Sequence, residues 1–367
     1  MDKESNKKPG AELPGLFIAC SLQNAEKPSC RMRSKTVIQG VCFYADIQGV
    51  MHMRMAARVV AGFLAVIVLV SVVLVAVNWA PDRPVAELTS RWAPAPSAFV
   101  TVQGMQVHVR DEGPRDDAAP IVLLHGTSAS LHTWEGWVAA LKTDRRVISL
   151  DLPGFGLTGP MVDGDYRMER YVQFLTAVFD AIGLQKVVLV GNSFGGRLAW
   201  EMAAVHPERV EKLVLVDAAG YPTPSVSIPV GFRIAQIPLL NKLMEVTLPR
   251  NMVESSVRNV YGHPEKVTPE LVDRYYELTL RAGNRAALVE RFRQAPSGEN
   301  AARIRMLTLP TLVLWGRQDR LIPPVNGEHF HKDIAGSQLV VFPELGHVPH
   351  EEDAVATVAA FRAFLGI

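Results

Sequence analysis

The sequence predicts an α/β domain: a mostly parallel central sheet with helices on both faces and an inserted helical cap, preceded by one transmembrane helix. Three observations lead there. From about Phe99 to Ile367, apolar β-branched runs alternate with amphipathic helical segments, as strands joined by crossovers into a two-sided sheet do. That rhythm stops for nearly a hundred residues between Val216 and Leu312. Upstream, Val59–Trp79 contains no charged residue over 21 positions.

Residues 1–58 mix charges, prolines and polar residues without a sustained period, which reads as a disordered or over-long leader. A start at Met51 would give an ordinary targeting segment, MHMRMAAR. At about 1.5 Å rise per residue, the run 59–79 matches a hydrocarbon core roughly 30 Å thick. Arg54 and Arg58 precede it, while Asp82, Arg83 and Glu87 follow in mixed sign. The positive-inside rule therefore places the N-terminus in the cytoplasm and the remainder outside, periplasmic in a bacterium. Asn78-Trp79-Ala80 is a poor cleavage site, so an uncleaved signal anchor is expected. Residues 80–98 carry Pro81, Pro84, Pro94 and Pro96 and read as a stiff extended linker.

The folded domain is expected over 99–367. Its strand-like runs are Val107–Arg110, Ile121–Leu124, Val147–Leu150, Val187–Val190, Leu213–Val216, Leu312–Trp315 and Leu339–Phe342. The cap, about 220–305, has helical patches at Gly231–Met244 and Glu270–Ala282. A formal charge of +1, with no basic stripe interleaved with aromatics, gives no case for nucleic-acid binding and points to a neutral or apolar ligand. Cys20, Cys30 and Cys42 all precede the domain and lack CxxC spacing, so neither a disulfide nor a thiol nucleophile is expected in it.

The strongest chemical signal is Val187–Val190 running into Gly191-Asn192-Ser193-Phe194-Gly195 and then into a helix-like segment, the strand, sharp turn and helix of a nucleophile elbow. The flanking glycines let the chain turn tightly and leave the Ser193 hydroxyl exposed at the carboxyl end of the sheet. A serine hydroxyl needs a base, ordinarily a histidine held by a carboxylate. His347 follows the last strand-like run and Asp319 the one before it, in the order Ser, Asp, His. His350, His329 and His331 are the rivals to His347, the last two in an expected surface helix; Asp217, at the end of another strand, is the rival to Asp319. The oxyanion formed on attack would be met by the N–H groups of Phe194 and Thr127. His125 is expected to fix its loop rather than to move protons.

With these residues in place, Phe99–Ile367 resembles the α/β-hydrolase superfamily. The resemblance rests on Leu123-Leu124-His125-Gly126-Thr127, Asp151-Leu152-Pro153-Gly154-Phe155-Gly156, Gly191–Gly196, Gly316-Arg317-Gln318-Asp319 and Gly346-His347-Val348-Pro349. It implies a hydrolase free of metal and cofactor, with a cap-covered pocket. Serine at the elbow argues against the relatives that use aspartate there, the epoxide hydrolases and haloalkane dehalogenases. The expectation is a serine esterase or lipase acting through an acyl-enzyme on a small or medium carboxylic ester, lipid-like if it is delivered from the bilayer. Asn192 and Gly-Arg-Gln-Asp also resemble hydrolases that cleave carbon–carbon bonds of ring-fission diketones, the alternative reading. A third reading is an inactive, membrane-displayed binding module, against which the intact triad speaks. Ile228, Pro229, Ile234, Ile237, Leu239, Leu240 and Leu243 are expected to shape an apolar pocket or to pack the cap onto the sheet. Oligomeric state is left open.

Overall fold

The computed structural model describes residues 35–367 apart from Thr223 and Leu239; the leader expected over 1–58 lies outside the described residues as far as residue 34, as does Leu239 in the cap. From Lys35 the expectation of an irregular leader is corrected. A single helix, α1, spans Lys35–Val77. Its stretch Gly49–Val77, 29 residues containing an 18-residue window of mean hydropathy 3.1, is long and apolar enough to cross a membrane. The helix ends two residues before Trp79. By internal contacts the chain divides after Val70, and the unit Ser71–Ile367 contains the whole sheet.

Eight strands form one sheet in the order β1-β2-β4-β3-β5-β6-β7-β8. They are β1 (Ala98–Val102), β2 (Met105–Glu112), β3 (Ile121–Leu124), β4 (Val147–Leu150), β5 (Val187–Asn192), β6 (Val210–Val216), β7 (Thr311–Gly316) and β8 (Gln338–Phe342). The seven strand-like runs all fall on strands. The additional one, β1, makes a hairpin with β2 across Gln103-Gly104, both at positive φ, the two-residue turn whose twist suits antiparallel strands. β2 is also antiparallel to β4, and all other pairings are parallel.

The strands β3, β4, β5 and β7 are buried at every position because both faces are covered. Ile121, Leu123, Val188, Val190, Leu312 and Leu314 pack with Trp134, Trp137 and Phe361, against α3 (Glu135–Leu141) and α13 (Ala354–Leu365). The alternate residues Val122, Leu124, Leu189, Leu213 and Val313 pack on the opposite face with α4 (Met168–Ala181), α5 (Phe194–Val205) and α11 (Val325–Asp333). A short helix, α12 (Pro349–Glu352), precedes α13.

Between β6 and β7 lies the cap: α6 (Val230–Ala235), α7 (Leu240–Met244), α8 (Arg250–Val260), α9 (Pro269–Thr279) and α10 (Asn284–Gln294). The patch expected over 231–244 is thus two helices with Pro238 between them. Thr268 starts α9 by accepting from the Leu271 N–H, and Pro269 takes the first helical position, where its missing N–H costs nothing.

The extended linker expected over 80–98 is not found. Val85–Trp92 forms a helix, α2, started after Pro84 and finished before Pro94, with Leu88 buried. The segment is a strap bonded to the cap. The Ala80 N–H donates to Val246 O at 3.0 Å and the Leu248 N–H to Asn78 O at 3.1 Å. The Arg83 N–H donates to Leu280 O at 2.7 Å, Asp82 pairs with Arg285 at 2.6 Å, and Trp92 Nε1 donates to Glu277 at 2.7 Å.

Candidate active site

Ser193 stands between β5 and α5 with φ 53° and ψ −115°, a strained left-handed turn. Glycine is required on both sides. A Cβ on Gly191 would lie 2.2 Å from Gly195 O, and one on Gly195 would lie 2.4 Å from Leu124 O. The turn is held by the Ser193 N–H donating to Val216 O and by Ser193 O accepting from Ala219 and Arg197, each at 3.0 Å.

His347 and Asp319 come together as the sequence predicts: Nδ1 lies 2.6 Å from Asp319 Oδ2, with both side chains buried. Oδ1 of Asp319 accepts from the N–H groups of Leu321 and Ile322 at 2.8 and 2.9 Å, so the loop after β7 fixes the carboxylate. Asn192 ties the histidine loop to the elbow, donating through Nδ2 to His347 O at 3.0 Å and to Val216 O at 3.1 Å. Glu352 braces the same loop by accepting from the N–H groups of Gly346, Gly262 and His263. No hydrogen bond links Ser193 Oγ to His347 among the described residues, a contact that commonly tightens only around a substrate.

The rivals are placed elsewhere or in support. His350 is buried against Trp134, ring centroids 3.9 Å apart, with Nε2 3.1 Å from Thr133 Oγ1. His329 and His331 are exposed on α11, the surface helix expected for them. Asp217 is not an alternative to Asp319 but its neighbour: ligating atoms of Asp217, Asp319 and His347 all lie within 4.8 Å of one another. Burial, and then the charge of Asp319, push the Asp217 carboxyl well above the usual carboxylate range, so it is held protonated. Its Oδ1 accepts from the Gly316 N–H at 2.9 Å. The close Asp319–His347 hydrogen bond leaves no room for a cation between those two donors.

The N–H groups expected to meet an oxyanion, those of Phe194 and Thr127, have no backbone acceptor among the described residues. Phe194 is the first residue of α5, where an N–H has no intrahelical acceptor, and the Thr127 N–H donates to no loop carbonyl. The Thr127 loop lies against the nucleophile, since a Cβ on Gly126 would come within 3.1 Å of Ser193 Cβ. His125 has the expected structural part, with Nδ1 2.7 Å from Gly126 O and Nε2 accepting from the Leu152 N–H at 2.9 Å.

Two chambers meet at Thr127 and Phe232. One, about 360 Å³, contains Ser193, Phe194 and Arg291. The other, about 100 Å³, is walled by apolar groups including Met244, Leu248, Val257 and Leu288. Arg291 on α10 was not singled out by the sequence. It is only 6 % exposed, no hydrogen bond or ion pair reaches its guanidinium among the described residues, and Nε has no partner. The guanidinium lies over the rings of Phe292 and Phe194 at 4.3 and 4.6 Å. Burial, with Arg197 nearby, pushes its pKa down to about 10, which still leaves it cationic at neutral pH. Of the cap residues expected to form the pocket, Ile228 and Pro229 line a chamber and Ile234 packs against the core, whereas Ile237, Leu240 and Leu243 face outward.

Residues 119–354 match the family described as the alpha/beta hydrolase fold. The 2-hydroxymuconate semialdehyde hydrolase of Pseudomonas putida is 31% identical over 72% of this chain and 93% of its own length. A 2-hydroxy-6-oxo-2,4-heptadienoate hydrolase, also of Pseudomonas putida, is 31% identical over 68% and 88%. A crystal structure of a meta-cleavage product hydrolase from Pseudomonas fluorescens IP01 superimposes with a TM-score of 0.63 at 26% identity, covering 73% of this chain and 97% of that one. These relatives overturn the expectation of ester cleavage. The motifs around Ser193, Asp319, His347 and Thr127 could not discriminate, because a serine, histidine and carboxylate set serves attack on an ester carbonyl and on a ketone carbonyl alike; the difference lies in the atom that leaves.

Proposed function

The chain belongs to the α/β-hydrolase fold family, and we propose that it hydrolyses a carbon–carbon bond in a vinylogous diketone that carries a carboxylate. The observation that carries this reading is Arg291, a buried cation in the chamber of Ser193 with no hydrogen-bond or ion-pair partner among the described residues. An unpaired buried charge is costly unless a ligand completes it. Both named relatives act on compounds with a carboxylate, which supports a charged ligand for Arg291 over a neutral one.

Ser193 Oγ attacks the ketone carbon while His347 takes its proton, held in the required tautomer by Asp319. The N–H groups of Thr127 and Phe194 meet the oxyanion. As the carbonyl re-forms, the bond to the neighbouring chain carbon breaks. Its electron pair is drawn into the conjugated carbonyl system, and the proton on His347 passes to the departing fragment. Water, deprotonated by His347, then releases the acyl group from Ser193 as a carboxylic acid. The sum is one diketone and one water giving one acid and one hydroxydienoate. The test is to compare kcat/KM for 2-hydroxy-6-oxo-2,4-heptadienoate with that for p-nitrophenyl acetate. Preference for the diketone supports the reading; cleavage of the ester alone overturns it.

The same proposal includes an uncleaved anchor in the apolar part of Gly49–Val77 that follows Arg58, with the hydrolase domain on the far side of the membrane from Arg54 and Arg58. Resistance of the full chain to alkaline extraction supports the anchor, and release into the supernatant would refute it.

A further inference from the structure

We propose that the outer face of the cap helices α6 and α7 seats in an anionic bilayer surface, so that the cap rests on lipid instead of standing clear of it. The inference rests on the anchor reading and goes beyond it. Three observations carry it.

First, α6 and α7 are apolar on both sides. Inward, Phe232 and Met244 wall the small apolar chamber. Outward, Val230, Ile237, Leu240 and Leu243 are 49, 45, 44 and 42 % exposed. An apolar group of this kind on a water-facing surface marks a site of contact with lipid or another molecule. Second, this face is bonded to the end of the apolar helix. α7 runs into Val246–Leu248, which pair with Asn78–Ala80 through two backbone hydrogen bonds, and Trp79 is 56 % exposed at that junction. If Val77 ends a membrane span, Trp79 lies at headgroup level, where tryptophan is favoured, and the loop bonded to it is held at the same depth. Third, the charge fits lipid. From Val226 to Met244 there are two basic residues, Arg233 and Lys242, and no acid; Glu245, next in the chain, pairs with Lys242 at 2.8 Å, so the face keeps a net charge of +1. Both basic residues are exposed, as those flanking an apolar face in an anionic interface should be. The bonding of Val246–Leu248 to the residues that follow the apolar helix favours lipid over a second protein copy.

The test uses the full chain with Cys20, Cys30 and Cys42 replaced by serine, carrying one environment-sensitive fluorophore. The label sites are Leu240→Cys, Ile237→Cys, Val68→Cys within the apolar helix, and Val355→Cys on exposed α13. The proteins are reconstituted in phosphatidylethanolamine and phosphatidylglycerol vesicles with or without doxyl-labelled lipid. The expected result is blue-shifted emission and loss of fluorescence to doxyl lipid at 237, 240 and 68, with neither at 355. Quenching at 68 but water-like emission at 237 and 240 would overturn the seating while leaving the anchor intact; no quenching at 68 would overturn the anchor itself. A blue shift at 240 that doxyl lipid does not quench would show the face covered by a second copy, which also overturns the proposal.

Discussion

The side-chain amide of Asn192 donates to the backbone carbonyl of His347, 155 residues away, at 3.0 Å. The residue beside Ser193 thereby ties down the backbone of His347. Replacing Asn192 by Ala leaves the His347 carbonyl unpaired in a buried place, while Val216 O keeps the Ser193 N–H, at a cost of about 1–3 kcal/mol, and frees the histidine loop. The expected outcome is a fall in kcat of roughly a hundredfold with KM little changed, as small misplacements of catalytic groups produce. Steady-state kinetics check it; an unchanged kcat would show the clamp to be idle.

Arg291 is predicted to select for charge. Arg291→Met should lower kcat/KM for the carboxylated diketone by roughly ten- to a hundredfold, the worth of about 1.5–3 kcal/mol for a hydrogen bond to a charged group. The methyl ester of the same diketone, which lacks the charge, should be turned over nearly as well by the variant as by the native chain. Equal losses on both substrates would mean that Arg291 only supports the cap.

Asp217 holds a proton in the fold that it loses in the unfolded chain above about pH 4. Its contribution to stability is therefore complete below that pH and is lost as the pH rises toward the folded-state value. Asp217→Asn keeps the neutral form and an oxygen for the Gly316 N–H. The midpoint of urea unfolding should thus drift downward less between pH 5 and pH 8 in the variant than in the native chain. Parallel drift would contradict the protonated assignment.

His132 behaves in the opposite sense. Burial pushes it down to about 4, its Nε2 lying 2.8 Å from Trp92 O at the end of the strap. The unfolded chain takes up this proton below about pH 6.5 and the folded chain does not, so stability falls with pH between about 6.5 and 4. His132→Gln should flatten that slope by up to one proton, roughly 1.4 kcal/mol per pH unit. An unchanged slope, measured by denaturation at successive pH values, would refute this.

Much of this site was legible because it is built from short, local signals. The strand 187–190 followed by glycines around Ser193 admits one conformation, and Asp319 and His347 each follow a strand in the sheet. What was illegible depends on tertiary contact. α2 has eight residues, too few to be helical alone, and forms because Leu88 and Trp92 dock on the cap. Helical spacing around Ile237, Leu240 and Leu243 identifies an apolar face but does not say whether it points to core or surroundings. Arg291 sits among Glu290 and Arg293 and reads as part of a solvated helix face, since only the folded chain shows that it lacks a partner. Asp217 and Asp319 look like competitors along the chain, and their adjacency exists only once β6 and β7 pair.

Ser193-dependent carbon–carbon cleavage is tested most directly by mass analysis of the products from 2-hydroxy-6-oxo-2,4-heptadienoate in ¹⁸O-labelled water. The expected result is equal amounts of acetate and 2-hydroxypenta-2,4-dienoate, the label entering acetate alone, and no product from Ser193→Ala. Recovery of the diketone intact with the native chain, or equal cleavage by Ser193→Ala, would contradict it.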